Sequence, residues 1–173
     1  SVYYFWDPAI SVGKASYGNE RIIEGGWKPV GPWGSPDAPY AQGMVRFSED
    51  NGKSWTEPKI VPQWLGVSEV AFVAAGNGDL VATCRRDSPK RFAATAFDHY
   101  GGVGISISSD KGETWSDVDV LYDWGRHHSS MVRLPNNDLV MTYVVRLGYT
   151  DDEDGYPRYG VEAIVSKDNG KTW

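Results

Sequence analysis

The sequence predicts an all-β fold made of repeated four-stranded units, and three observations lead to this prediction. An eight-residue pattern, S-x-D-x-G-x-[ST]-W, occurs at Ser48–Trp55, Ser108–Trp115 and Ser166–Trp173 with nearly constant spacing. Two further similar stretches, Gly76–Arg86 and Pro135–Val145, repeat with the same period. The apolar runs between them are short, and none has helical periodicity. Four short strands repeated at a fixed period are typical of β-propeller blades.

The second unit illustrates how the four strands are assigned. Its Asn-Gly turn, within Gly76–Asp79, predicts a tight hairpin between the first two strands. The predicted strands are Glu69–Ala75, Leu80–Arg85, Val103–Ser108 and Val118–Trp124. We therefore expect one partial propeller domain over residues 1–173, with blades at about 1–65, 66–124 and 125–173. The last blade lacks its fourth strand, so we expect the remaining blades in a longer parent chain.

Composition limits the classes of partner. The 173 residues are 40% hydrophobic and carry a net charge of -6 without a basic tract, which argues against nucleic acid and anionic membrane surfaces. No apolar run approaches the roughly 18 residues that a membrane span needs. The single cysteine, Cys84, excludes an internal disulfide and a cysteine-based metal site. The sequence predicts no cofactor and identifies no compartment.

The repeated eight-residue pattern has a structural logic. Its aspartate can accept backbone N–H bonds from its own turn, its glycine supplies a positive φ, and its tryptophan can pack back under the blade. A calcium loop would need more oxygen ligands and a glutamate at its twelfth position. We therefore predict a structural role for Ser48, Asp50, Gly52, Trp55, Ser108, Asp110, Gly112, Trp115, Ser166, Asp168, Gly170 and Trp173.

Three such patterns, each before the last strand of a repeated four-stranded unit, resemble the Asp-boxes of the sialidase (neuraminidase) superfamily. This resemblance covers the chain from Ala41 onward. It implies a six-bladed β-propeller, of which this chain would form about three blades. The boxes alone do not imply catalysis, because propellers that bear them include proteins that are not enzymes.

The functional residues are expected at the end of the strands opposite the box turns, where the connections are longer and more varied. Glu69 starts one innermost strand, and Arg85 and Arg86 end the strand after it. Arg126–His128 precedes the next innermost strand, and Arg158 leads into a third strand. A group of guanidinium side chains around a central channel suits an anion, because the planar guanidinium pairs bidentately with a carboxylate.

The resemblance to sialidases gives three of these residues expected roles. Glu69, Leu80 and Arg85 have the spacing of a sialidase pattern, and Arg158 lies eight residues before Ser166, as a second family arginine does. The resemblance implies that Glu69 is the catalytic base that polarises a tyrosine nucleophile. It also implies that Arg85 and Arg158 bind the substrate carboxylate. Alternatively, Glu69 forms an ion pair with a neighbouring arginine, and Arg86 takes the role of Arg85.

The adjacent His127 and His128 differ from the simplest sialidase pattern. Both could face the channel and bind substrate hydroxyls. A metal site would need a further ligand, for which His99 is the one remaining histidine, and the acidic Asp151–Asp154 is either a solvated loop or a calcium loop. We predict no metal. Asp37 is not assigned as the general acid, because it lies too few residues before Glu69.

The predicted function is that of a sialidase-like exo-glycoside hydrolase that releases a terminal acidic sugar, sialic acid, with retention of configuration. The expected partner is a carbohydrate, and the resemblance alone implies a secreted or periplasmic protein. Two alternatives remain open. One is a non-catalytic propeller that binds glycans or protein, and the other is a hydrolase or lyase for another acidic sugar.

Overall fold

The computed structural model describes residues 2–5, 7–33, 35, 38–92, 100–147 and 158–173. The described chain is all-β, with two short 3₁₀ turns at Ser16–Gly18 and Lys90–Phe92. Within it, no helix is long and apolar enough to cross a membrane. The all-β prediction is therefore confirmed.

Eleven strands form three antiparallel sheets in the described residues, and each strand pairs with the one that follows it in its sheet. The first sheet contains β1 (Ile10–Lys14), β2 (Glu20–Pro29), β3 (Ala41–Ser48) and β4 (Lys59–Leu65). The second contains β5 (Val67–Ala74), β6 (Leu80–Arg86), β7 (Gly102–Ser108) and β8 (Asp119–Tyr122). The third contains β9 (Arg126–Arg133), β10 (Leu139–Leu147) and β11 (Arg158–Ser166).

The sheets pack face to face in sequence order, because each contributes apolar side chains to a core shared with the next. The core between the first and second sheets includes Ile23, Phe47, Trp64, Phe72 and Trp115. The core between the second and third sheets includes Val81, Ile105, Leu139, Met141 and Tyr143. The middle sheet is thus covered on both faces, which explains why six of the seven residues of β6 are buried. This is the stacking of propeller blades.

In each box turn, the aspartate carboxylate accepts hydrogen bonds from groups of the same turn. In the second sheet, the Asp110 carboxylate accepts hydrogen bonds from the Thr114 backbone N–H at 2.8 Å and from the Thr114 hydroxyl at 2.6 Å. The Ser108 hydroxyl donates to Asp110 and accepts from the Gly112 backbone N–H, both at 2.8 Å. Asp50 and Asp168 have the same arrangement.

The start of the third sheet differs from the prediction. Arg126–His128 was expected before the innermost strand, whereas β9 begins at Arg126. That expectation is wrong because the ladder between β9 and β10 continues past a bulge, with His127 opposite Val144 and Arg126 opposite Val145. The alternating strand pattern of β9 is interrupted at this bulge. The sequence therefore did not indicate that Arg126–His128 belongs to the strand.

Candidate active site

Glu69 and His128 occupy equivalent places at the starts of β5 and β9. Each lies where the register with the neighbouring strand shifts, as at a β-bulge. Their φ angles are +38° for Glu69 and +51° for His128, which non-glycine residues rarely adopt. Bulges redirect side chains, and strained backbone is concentrated at functional sites. These two positions are therefore the first candidates for chemistry.

A chain of charged contacts joins the second sheet to the third. The Glu69 carboxylate lies 2.8 Å from Nη1 of Arg85 and 3.0 Å from Nδ1 of His128. The side chains of Glu69 and Arg85 are each 10% exposed, whereas that of His128 is 45% exposed. The Glu69 carboxylate is thus hydrogen-bonded to Arg85 and lies close to the imidazole of His128, which remains accessible from solvent.

Asp7 lies just before β1 and adds a second carboxylate to this group. Burial and, after it, the negative charge of Glu69 raise the pKa of Asp7 to about 6, against the lowering effects of the Val70 backbone N–H and of His128. The sequence analysis missed Asp7. The signal was present, because the spacing from Asp7 to Glu69 is close to that from Glu69 to His128. Asp7 therefore lies just before the first strand of the first sheet, and Glu69 and His128 lie near the starts of the first strands of the second and third sheets.

A pocket with a volume of about 240 Å³ opens beside Glu69 and Arg85. Four aromatic side chains line it. Tyr4 and Trp27 stack with ring centroids 4.5 Å apart, and Trp33 meets Tyr40 edge to face at 4.6 Å. A concave, largely aromatic lining with a few charged groups is typical of small-ligand sites. The flat apolar ring faces suit the C–H faces of a sugar ring.

The other predicted site residues differ in accessibility. Arg86 lines the pocket, with its guanidinium 3.8 Å from the carboxylate of Asp123. His127 is fully buried, with its ring centroid 4.6 Å from that of His128. Arg158 begins β11, and its side chain lies outside the described part of the chain. The site therefore brings together Glu69, Arg85, Arg86 and His128, with Asp7 beside them.

Three other positions from the sequence analysis, Asp37, His99 and Asp151–Asp154, also lie outside the described residues. Among the residues that the structure describes, no group of three or more His, Cys, Asp or Glu side chains is arranged to hold a metal ion. Cys84 is a buried free thiol, and burial raises its pKa.

No protein-family profile and no curated protein sequence matches the chain. Solved structures do. A GH93 α-L-arabinofuranosidase of Fusarium graminearum, in complex with arabinobiose, matches 94% of this chain with a TM-score of 0.61 and 18% identity. A Penicillium chrysogenum α-L-arabinanase with arabinobiose matches 97% with a TM-score of 0.59 and 13% identity. A Trypanosoma rangeli sialidase with sialic acid matches 100% with a TM-score of 0.58 and 20% identity.

These solved structures are β-propeller glycoside hydrolases of the sialidase-like superfamily. This chain has the same fold, and the prediction of a sialidase-type propeller is confirmed at that level. The chain spans 46% of the length of the arabinofuranosidase and of the arabinanase, and 28% of that of the sialidase.

Proposed function

We propose that this chain is part of a propeller glycoside hydrolase that releases a terminal acidic sugar, with sialic acid as the first candidate, from a glycoconjugate. The observation that carries the proposal is the placement of Glu69. Its carboxylate is held by Arg85 and His128 on a strained bulge, beside a pocket lined by four aromatic rings. The fold shared with sialidases and arabinan-degrading enzymes supports the reaction class.

The residues divide the chemistry between them. Glu69 provides the carboxylate that polarises the nucleophile, which the sialidase resemblance implies is a tyrosine. Asp7, with a pKa raised to about 6, retains a proton in weakly acidic solution and can donate it to the leaving oxygen. Arg86 and Arg158 are the guanidinium groups proposed to bind the substrate carboxylate. His128 binds substrate hydroxyls, and the His127 ring packs against the His128 ring.

One observation favours a second candidate, a hydrolase for a neutral sugar such as arabinose. Arg85, which the sialidase resemblance assigns to the substrate carboxylate, is ion-paired with Glu69 instead. Two carboxylates, Asp7 and Glu69, could then serve as the acid and base pair that most glycoside hydrolases use.

The full protein that carries this chain should be assayed with two aryl glycosides, an α-sialoside and an α-L-arabinofuranoside. Turnover of the sialoside supports the first proposal, and turnover of the arabinofuranoside alone supports the second. Arg158→Ala separates them further. It should raise the KM for the sialoside by at least about tenfold, as expected for loss of a charged hydrogen bond, and leave the arabinofuranoside unaffected. A folded protein that hydrolyses neither would favour a binding module or a hydrolase or lyase for another acidic sugar.

Glu69→Gln tests the catalytic centre itself. It should lower kcat by about 10²–10⁴-fold, the range that acid–base groups contribute. Glu113→Gln is the matched control, because Glu113 lies in the box turn of the same sheet, at the opposite end. Full activity of a folded Glu69→Gln protein would refute the assignment.

A further inference from the structure

Arg85 lies on the strand next to the bulge that carries Glu69. The register between β5 and β6 shifts between Ser68 and Val70, so Glu69 is the extra residue of the bulge. Bulges redirect the side chain of the extra residue. Arg85 itself is held in a regular ladder, because β6 pairs with β5 on one side and with β7 on the other. The contact between the two side chains therefore joins the bulge to a central strand.

The guanidinium of Arg85 is enclosed by protein. Arg85 is 8% exposed, and a Cβ added at Gly101 would lie 3.1 Å from its Nε, so the glycine leaves space for the guanidinium on that side. A guanidinium keeps its positive charge when it is buried. The next residue, Arg86, has a more exposed side chain that lies near the exposed carboxylate of Asp123. The two adjacent arginines thus have different surroundings, and they need not share one role.

The two oxygens of the Glu69 carboxylate also have different surroundings. Oε1 accepts a hydrogen bond from Nη1 of Arg85 at 2.8 Å. Oε2 lies 3.0 Å from Nδ1 of His128 without the geometry of a hydrogen bond, and it accepts none from any other residue that the structure describes. Buried polar atoms usually have a hydrogen-bond partner, and exceptions occur at catalytic groups. Oε2 is therefore the oxygen that is available to accept a proton.

We propose that Arg85 is a positioning residue, which holds Oε1 of Glu69 so that Oε2 faces the reacting group, and that Arg85 does not bind the substrate carboxylate. This inference rests on the proposed function, because it takes Glu69 as the catalytic carboxylate. A carboxylate that is oriented before the substrate binds needs less rearrangement during the reaction. Arg85 therefore acts on the rate of the chemical step, and binding of an acidic sugar is left to Arg86 and Arg158.

A double-mutant cycle in the full protein tests this role. The constants kcat and KM are measured with the aryl α-sialoside or, if only that substrate is hydrolysed, with the aryl α-L-arabinofuranoside. Arg85→Ala should lower kcat by about 10²-fold, the cost of a small misplacement of a reacting group, and leave KM nearly unchanged. Because Arg85 acts through Glu69, the same substitution should have little further effect on kcat in a Glu69→Gln background.

Two further variants support the comparison. Arg133→Ala is the control for loss of an arginine, because Arg133 contacts the carbonyl of Ala75 at the opposite end of the sheets and should leave both constants unchanged. Arg85→Lys retains the positive charge without the guanidinium geometry, so it should recover part of the kcat that Arg85→Ala loses. If Arg85→Ala does not fold, Arg85→Lys is compared in the wild-type and Glu69→Gln backgrounds instead.

Two results would overturn the inference while leaving the proposed function intact. One is a KM for the sialoside that Arg85→Ala raises at least about tenfold with kcat unchanged, as expected for a direct charged hydrogen bond to the substrate. The other is an equal loss of kcat from the Arg85 substitution in the wild-type and Glu69→Gln backgrounds. Absence of turnover in the folded wild-type protein would overturn the proposed function and the inference together.

Discussion

At one end of the sheets, Asp50, Asp110 and Asp168 have pKa values lowered to about 2, whereas at the other end the pKa of Asp7 is raised to about 6. For Asp50 and Asp168, the largest cause is the hydrogen bond that the hydroxyl four residues later in the same turn donates, from Ser54 and Thr172 respectively. For Asp7, it is burial, followed by the charge of Glu69. Local hydrogen bonds stabilise the box carboxylates, while the site carboxylates depend on groups from other strands and sheets.

The largest effect on stability is expected for Glu69→Gln at the site end, compared with Glu113→Gln at the box end. Glu69→Gln removes the charge beside the buried Arg85 and should cost about 2–4 kcal/mol of unfolding free energy, because breaking a buried ion pair leaves its partner charge poorly compensated. Glu113→Gln removes an exposed carboxylate that contacts Arg21 and Lys59, and should cost less than about 1 kcal/mol. Urea unfolding monitored by tryptophan fluorescence measures both. Similar losses of unfolding free energy in the two variants would mean that the contacts of Glu69 stabilise the protein no more than a surface ion pair does.

A smaller loss of stability is expected when either of two glycines at the box end is replaced by alanine. The two glycines have similar φ angles but different neighbours. Gly112 has a φ of +89°, and a Cβ there would lie 2.4 Å from Cδ1 of Ile23 in the neighbouring sheet. Gly52 has a φ of +84°, and its nearest atom would be Cδ1 of Ile22 at 3.7 Å. Gly52→Ala should cost about 1–2 kcal/mol from backbone strain alone.

Gly112→Ala should cost about 1–2 kcal/mol more than Gly52→Ala, because overpacking against Ile23 adds to the same strain. The difference between the two thermal or urea unfolding free energies isolates the packing of one sheet on the next. If the two variants are equally stable, the Ile23 side chain moves away from the added Cβ without an energetic cost. Gly112 would then be required only for the conformation of the turn.

The contrast between the ends explains what the sequence could predict. The hydrogen bonds that hold the Asp110 carboxylate and the Trp115 indole all lie within the eight residues Ser108–Trp115, so local sequence is sufficient to predict them. Glu69 could be placed at the end opposite the box turns because strand direction alternates through the sheet. The pKa of Asp7 could not be predicted, because it arises where three sheets meet. The bulge at His128 was also missed, since strand register depends on the partner strand.

Asp7→Asn should stabilise the protein in neutral solution. The folded pKa of about 6 lies above the ordinary value of 3.8, so the contribution of Asp7 to stability is most favourable below about pH 4 and is lost as pH rises through about 6. Above pH 6, Asp7→Asn should gain about 1–2 kcal/mol, a value reduced for the partial exposure of the side chain. The measurement is the urea midpoint from pH 4 to 8, with the exposed Asp119→Asn as control.

A gain from Asp7→Asn that accompanies a loss of turnover would mean that the site end sacrifices stability for a strained, charged arrangement, as functional sites often do. An unchanged pH profile in the Asp7→Asn protein would instead show that Asp7 is solvated and titrates independently of Glu69 and His128.

The smallest effect is expected for Asp110→Asn, and it has the opposite dependence on pH. Burial is the largest single effect on Asp110 and opposes its ionisation, but the hydrogen bonds from Thr114 and Ser108 together outweigh it and lower the pKa to about 2. Its stabilising contribution is therefore present above about pH 4 and is lost as pH falls towards 2. Because the side chain is largely exposed, Asp110→Asn should cost only about 0.5 kcal/mol at pH 6. Below pH 3, the variant and the wild type should converge.

Urea midpoints between pH 2 and 6 provide this measurement, with Asp117→Asn as the control because Asp117 is exposed in the loop that follows the same turn. Asp117→Asn should follow the wild-type curve throughout. A difference between Asp110→Asn and wild type that persists unchanged at pH 2 would mean that the aspartate acts through its shape and not its charge. The charge of Asp110 would then contribute nothing to stability. The two ends would differ only in the environment of Asp7.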